Sequence, residues 1–254
     1  MIMKPMVLIQ NLLFPPKCAN CGELLDIELN KRVTSPLCPA CRKHFEAEKS
    51  RECSICGLAM KFCSCMPKQM QKAQCTTLLK LIPYRANDES LTIRNFVYSV
   101  KHVNNRIAFD FIAEQMREQL IAEMRSKSLM PQDCVITFLP RSKKNKLNDG
   151  FDQSYELARA LSRITGIELV NCFERELFAK EQKNLNRFER RLNMSSAYKA
   201  RNVRDKVRDK TLILVDDIVT TGSSMASCAR IGTELGAFEV MGVCLGLTEK
   251  NNKK

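Results

Sequence analysis

The sequence predicts an α/β protein: a parallel β-sheet with helices on both faces, preceded by a small zinc-ribbon module. Three observations carry this expectation. Strand-like and helix-like segments alternate over residues 134–247, the pattern of a parallel sheet with crossover helices. The stretch Leu212-Ile-Leu-Val-Asp-Asp-Ile-Val-Thr-Thr-Gly-Ser-Ser224 reads as strand, turn and helix start with phosphate-binding chemistry. Eight of the 13 cysteines fall as four close pairs between Cys18 and Cys65.

The N-terminal stretch Met1–Phe14 is mildly apolar, carries Lys4 and runs into Pro15-Pro16 without a small-residue cleavage site. It reads as a docking helix rather than a signal peptide. No apolar run reaches the ~18 residues of a membrane span, so a cytoplasmic protein is expected.

The cysteine pairs are Cys18-x-x-Cys21, Cys38-x-x-Cys41, Cys53-x-x-Cys56 and Cys63-x-Cys65. A tight turn aims two thiolates at one point, and two such turns complete a tetrahedral shell for Zn²⁺. A closed four-thiolate site leaves no open position, so its role is folding rather than catalysis. Gly22, Pro39 and Gly57 stand where knuckle turns want them. Sequence order groups the first four and the last four cysteines, while a crossed grouping stays open. The competing reading is a set of free or redox thiols. Residues 1–72 are assigned to this module, which is rich in turn residues and poor in periodicity. It is not the main basic surface: two Zn²⁺ on eight thiolates would nearly cancel its excess of Lys and Arg.

Residues 76–254 are assigned to the second domain. Thr76–Tyr84 reads as a strand, and residues 90–127 as two helices broken near Val103-Asn-Asn105. Cys134–Leu139 is a short apolar run closed by Pro140, as a buried strand would be. Gln153–Thr165 has helical periodicity and stops at Gly166; Ile167–Val170 is a further strand. Thr211–Val215 is a strand, Ser223–Leu235 a helix, and Glu239–Leu247 the last strand. The remaining cysteines, Cys75, Cys134, Cys172, Cys228 and Cys244, read as small core residues. Lys250–Lys254 reads as a frayed tail.

The net charge is +13, which favours polyanionic partners. Residues 175–210 hold 12 Lys/Arg against 5 Asp/Glu, a net +7 and over half of the excess. That segment reads as a polar loop or arm.

In the stretch at 212–224 each part has a task. The strand fixes the loop at the carboxyl end of a sheet, where α/β ligand sites form. Asp216 and Asp217 can accept hydrogen bonds from two ribose hydroxyls. Thr220, Thr221, Ser223 and Ser224 supply hydroxyls and N–H groups, and Gly222 lets the backbone close around a phosphate. The helix that follows points its positive end there. An ordinary strand–turn–helix with an acidic cap is the plainer alternative.

Further motifs come in a fixed order. Asn11-Leu-Leu-Phe-Pro-Pro-Lys-Cys18 is followed by Tyr98-Ser-Val-Lys101, Leu139-Pro140 and Gly150-Phe-Asp-Gln153. Then come Gln182, Leu185, Arg190, Asn193 and Tyr198, and last the loop. This order resembles the ComF family. Its members join a type I phosphoribosyltransferase-like domain to an N-terminal double zinc ribbon and are linked to DNA uptake in natural transformation.

The resemblance implies phosphoribosyl pyrophosphate with Mg²⁺ as the ligand. It implies Asp216 and Asp217 at the diol and metal region, Lys101 at pyrophosphate, and residues 182–191 as a lid. The chain departs from the family in one place. Where the family has Arg-Gly-Phe-Asn-Gln, it has Asp149-Gly-Phe-Asp-Gln153, and Asn145 stands at another common arginine. Negative charge therefore replaces positive on the pyrophosphate side, with Lys143, Lys144 and Lys146 as neighbouring cations.

Two classes of function follow. As an enzyme, the chain would let a nucleophile displace pyrophosphate at the anomeric carbon, mainly by positioning and charge stabilisation. As a binding protein, it would contact single-stranded DNA phosphates through residues 175–210 and Lys143–Lys146, with a regulatory or vestigial nucleotide pocket. A third reading is a zinc-ribbon adaptor for a helicase-like competence partner. No motif selects the acceptor.

Overall fold

The computed structural model describes residues 9, 11–25, 34–84, 92–175 and 197–248, with backbone alone for 143–145. The docking-helix segment is described only at residue 9 and from Asn11. Ile9 and Asn11–Leu13 are helical, and Leu12, Leu13 and Phe14 are exposed. The expected lid at 182–191, the motif residues Gln182, Leu185, Arg190 and Asn193, and the tail all lie outside the described residues.

The first elements belong to the cysteine-rich part: helix α1 (Pro39–Lys49) and the short helix α2 (Lys68–Lys72). Strand β1 (Cys75–Tyr84) follows, then α3 (Arg94–His102) and α4 (Arg106–Ser126). The expected break falls where Asn105 caps α4, its side chain accepting from the N–H groups of Ile107 and Ala108 at 3.1 and 3.2 Å. Next come β2 (Cys134–Phe138), α5 (Lys143–Asp149), α6 (Gln153–Thr165) and β3 (Glu168–Leu169). A hairpin of β4 (Phe173–Arg175) and β5 (Tyr198–Ala200) is antiparallel. The chain closes with α7 (Arg204–Val207), β6 (Thr211–Val219), α8 (Ser223–Glu234) and β7 (Glu239–Thr248).

Five strands form one sheet in the order β1-β7-β6-β2-β3, and every pair in it is parallel. The α/β expectation is met. The strands read as near-continuous apolar runs because both faces are covered. On one face Ile136, Ile213 and Val243 pack against Ile112 of α4 and Leu157 of α6. On the other, Leu78, Leu214 and Val240 pack against Met70 of α2 and Ala229 of α8. Alternate residues of one strand thus feed opposite cores.

The cysteine-rich part packs on this body at two places. Phe45 of α1 meets Phe96 of α3 and Phe111 of α4 edge-on, with centroids 5.9 and 5.2 Å apart. Met70 of α2 is fully buried beneath α8. No helix among the described residues is long and apolar enough to cross a membrane.

Candidate functional site: a phosphate loop and two cysteine clusters

Because the sheet is parallel, all its carboxyl ends open on one edge, where loops can gather around a ligand. Strand β6 runs four residues beyond the expected Val215, held by its ladder to β7 out to Val219↔Leu247. The two acids therefore lie inside the strand rather than after it. The Ser154 hydroxyl of α6 donates to Asp216 Oδ1 at 2.8 Å, and the Asp217 N–H donates to the same oxygen at 3.0 Å. Burial, and next the charge of Asp217, push the Asp216 carboxyl well above its usual range; the Ser154 bond works the other way. A carboxyl in that condition is set to accept a hydroxyl donor or a cation that favours its ionised form.

After β6 the chain turns through Thr220–Gly222 into α8. A small open recess here is lined by Asp216, Thr220, Thr221, Gly222, Ser223 and Ser224, with Ile218, Val219 and Met225. Gly222 is left-handed at φ +72, and a Cβ there would come within 2.9 Å of both Met70 and Pro67. Glycine is thus demanded twice, by dihedral and by space. It offers no side chain to cap α8, so the helix presents its first-turn N–H groups and positive end to the recess. Thr221 and Ser223 hydroxyls lie 2.9 Å apart, and Ser223 Oγ donates to the Gln69 carboxamide oxygen of α2. Ser224 hydrogen-bonds the buried Tyr198 hydroxyl of β5.

The recess gathers six of the eight residues expected to handle ligand. Asp217 and Lys101 are outside its lining. Asp217 hydrogen-bonds the Asp216 carboxyl. Lys101, near the end of α3, sets its ammonium 4.7 Å from the Tyr84 ring centre at the carboxyl end of β1. Its carbonyl accepts from the Gln153 side chain.

The departure at Asp149 has a structural counterpart. Arg141 donates to Asp149 Oδ2 at 2.5 Å, and His102 Nδ1 lies 3.3 Å from Oδ1. The Arg141 bond, then His102, hold this carboxyl below its usual range. The acid does not face the recess as an unbalanced charge. Of the neighbouring lysines, Lys146 pairs with Asp152 at 2.8 Å, and the side chains of Lys143, Lys144 and Asn145 lie outside the described residues.

The cysteines fall into two clusters, Cys18, Cys21, Cys38, Cys41 and Cys53, Cys56, Cys63, Cys65, with sulfur atoms within 4.8 Å of one another in each. That is sequential grouping rather than crossed. A tetrahedral Zn–S shell with bonds of ~2.3 Å spaces its sulfurs about 3.8 Å apart. Cys21–Cys38 and Cys56–Cys63 stand at 3.7 and 3.5 Å, so the donor set fits such an ion.

Each cluster begins with the same turn. The Cys18 and Cys53 N–H groups donate to Glu23 and Leu58, and the Gly22 and Gly57 N–H groups donate back to those cysteine carbonyls. Pro39, expected in a knuckle, instead opens α1 just after Cys38. The first cluster thus closes on a helix start and the second on the extended Cys63-x-Cys65 turn. Burial alone would raise the Cys18 and Cys53 thiols; backbone N–H groups outweigh it and bring them down to about 6 and about 7.

Sequence reasoning missed several residues. Ser154 and Gln69 carry no motif, since a hydroxyl or amide becomes a site residue only through its neighbours. Arg141 follows the quoted Leu139-Pro140 and could have been paired with Asp149. Lys80 interrupts the apolar run of β1 and is fully buried, a signal visible in the strand pattern itself.

These features define a class: an α/β protein with a glycine-turned loop and helix start at the sheet's carboxyl edge, braced by two four-cysteine clusters. No family model matches the chain. Competence protein F of Haemophilus influenzae is 24% identical over 216 residues, covering 80% of this chain and 93% of that protein. DNA utilization protein YhgH of Salmonella typhimurium is 24% identical over 221 residues, covering 82% and 96%. The resemblance to the ComF family is borne out.

Among solved structures, a purine phosphoribosyltransferase from Pyrococcus horikoshii overlaps at a TM-score of 0.31. It is 17% identical and covers 54% of this chain and 73% of that one. An allosteric regulatory enzyme of purine biosynthesis also overlaps at 0.31, with 22% identity over 43% of this chain, which spans 21% of that enzyme. At such scores the fold stands on its own sheet order and loop geometry.

Proposed function

We propose that the chain binds a 5′-phosphoribosyl group, with phosphoribosyl pyrophosphate and Mg²⁺ as its foremost ligand, and serves DNA uptake in the cytoplasm. The observation that carries the binding is the recess that joins a raised carboxyl, Asp216, to an uncapped helix start behind Gly222. Asp216 and Asp217 take the diol and the metal region, and Thr220–Ser224 take the 5′-phosphate. Lys101 stands for the pyrophosphate end. The names of the two relatives, a competence protein and a DNA utilization protein, support a role in handling DNA taken up.

Zinc is the ion proposed for both cysteine clusters, where four thiolates in each converge on one point. Residues 1–72 are the zinc module and 76–254 the phosphoribosyltransferase-like domain in this reading. Of the described cations near Asp149, Arg141 and Lys146 are already engaged by Asp149 and Asp152, which leaves Lys101 as the contact proposed for pyrophosphate. Binding is therefore the function proposed, ahead of catalysis.

Calorimetry of the full chain with phosphoribosyl pyrophosphate and Mg²⁺ tests this. Saturable heat that vanishes in Asp216→Ala/Asp217→Ala is expected; no heat in the wild type overturns the reading. The single-stranded DNA alternative depends on residues 175–210 and Lys143–Lys146, of which 176–196 and the side chains of 143–145 lie outside the described residues.

A further inference from the structure

Lys80 is only 1% exposed, yet it carries an ammonium group inside the sheet. A buried ammonium is costly unless it is hydrogen-bonded and faces opposite charge. Its donors are met by the carbonyls of Cys63 at 2.6 Å, Cys65 at 2.8 Å and Leu78 at 3.4 Å. Those dipoles satisfy the donors but leave the charge unbalanced. Two of the three carbonyls belong to ligand residues of the second cysteine cluster. Four thiolates around one divalent ion carry a net charge of about −2, and Lys80 stands beside that centre as its counter-charge. At the first cluster, by contrast, the side-chain donor is the neutral Asn20 amide, 3.3 Å from Cys41 Sγ.

The same short segment reaches the phosphate loop. Two residues past Cys65, Pro67 approaches Gly222, where Met70 also lies, both within 2.9 Å of a would-be Cβ. Between them Gln69 accepts from the Ser223 hydroxyl. Residues 63–70 are therefore gripped at one end by the cluster and Lys80, and form the floor of the loop at the other. Strand register closes the circuit: Lys80 pairs with Cys244, and Cys244 pairs with Asp216.

We propose that the second cysteine cluster and the phosphate loop are one linked unit, with Lys80 as the positioning residue. It couples a divalent ion on Cys53, Cys56, Cys63 and Cys65 to the binding of a phosphoribosyl group at Thr220–Ser224. The linkage half of this idea depends on the phosphoribosyl reading above; the metal half does not. Coupling of this kind is reciprocal, so the bound ligand holds the ion as firmly as the ion holds the loop. It acts on the second cluster and leaves the first unchanged.

The experiment follows ion release from the full chain into a chromogenic chelator, with and without saturating ribose 5-phosphate. Binding of that probe is measured separately by calorimetry. In Lys80→Met, one of the two metal equivalents should leave about tenfold faster or more, the usual loss when a group that braces metal ligands is removed, and the other at the wild-type rate. Both equivalents leaving at wild-type rates overturns the role of Lys80. In the wild type, ribose 5-phosphate should slow one equivalent by about fivefold or more, within the usual range of coupling.

Gln69→Ala keeps every cysteine and Lys80, and serves if Lys80→Met does not fold. It should bind the probe more weakly, and at saturating probe it should lose most of that slowing. Probe binding without any slowing in the wild type overturns the linkage. No binding heat at all removes the phosphoribosyl reading and the linkage together, while the metal half is still judged by Lys80→Met. Gln69→Ala with undiminished slowing overturns the path through α2.

Discussion

The Ser154 hydroxyl, from the first turn of α6, donates to the Asp216 carboxyl of β6 at 2.8 Å. One bond thus joins the segment after Gly150-Phe-Asp-Gln to the strand that leads into the loop. A hydrogen bond to a carboxyl that keeps its proton contributes about 0.5–1.5 kcal/mol net. Ser154→Ala should lower stability by roughly that amount in denaturant titrations and weaken ribose 5-phosphate binding. Unchanged affinity in calorimetry would place Asp216 outside the ligand's contacts.

The pH dependence of Asp216 has a definite sign. Burial, and next the charge of Asp217, raise its folded pKa above the ordinary aspartate range. The folded state then keeps a proton that the unfolded state has released, so stability falls as pH rises from about 4 toward the folded pKa. Asp216→Asn should flatten that slope and raise the melting temperature at neutral pH, while ligand binding is lost. A melting curve series between pH 4 and 8 decides; a slope kept by the variant assigns it to another group.

At Gly222 the backbone sits at φ +72, with Pro67 and Met70 packed against it. Gly222→Ala carries about 1–2 kcal/mol of dihedral strain and must also displace α2. A lower melting temperature and abolished ribose 5-phosphate binding are expected. Wild-type binding by this variant would mean the loop opens without its floor.

Asp149 occupies Arg141 and His102 together. Asp149→Asn should release both side chains toward an anion and strengthen inorganic pyrophosphate binding several-fold, most visibly at low salt. Equal affinities in wild type and variant would show that neither side chain reaches the recess.

Metal analysis should return two zinc equivalents per chain. Cys18→Ser with Cys41→Ser should remove one of them and spare the other, because these cysteines share a cluster. Loss of both equivalents would mean that the two clusters exchange ligands.

Much of this was legible from the sequence, for physical reasons. Gln153–Thr165 could be bounded to the residue because Asp152 caps it and Gly166 ends it. The first halves of the clusters follow from Cys-x-x-Cys-Gly turns, which are closed by local hydrogen bonds alone. What stayed hidden depends on distant neighbours. Helix α1 opens at Cys38-Pro39, where the cysteine pair masked the helix start. The extra length of β6 is set by β7, and the Asp149 charge by Arg141 and His102. Gln69 and Ser154 became site residues through partners 154 and 62 positions away.

One consequence of the sheet order concerns how the molecule is completed. Strand β1 lies at an edge and its ladder partner is β7, the last strand of the described chain. A nascent chain has made both cysteine clusters and β1 long before residues 239–248 emerge. Until then β1 lacks its ladder partner. Loss of β7 would therefore be felt first at β1 and at the cysteine-rich part packed beside it. The order of synthesis makes the last strand the clasp for the first.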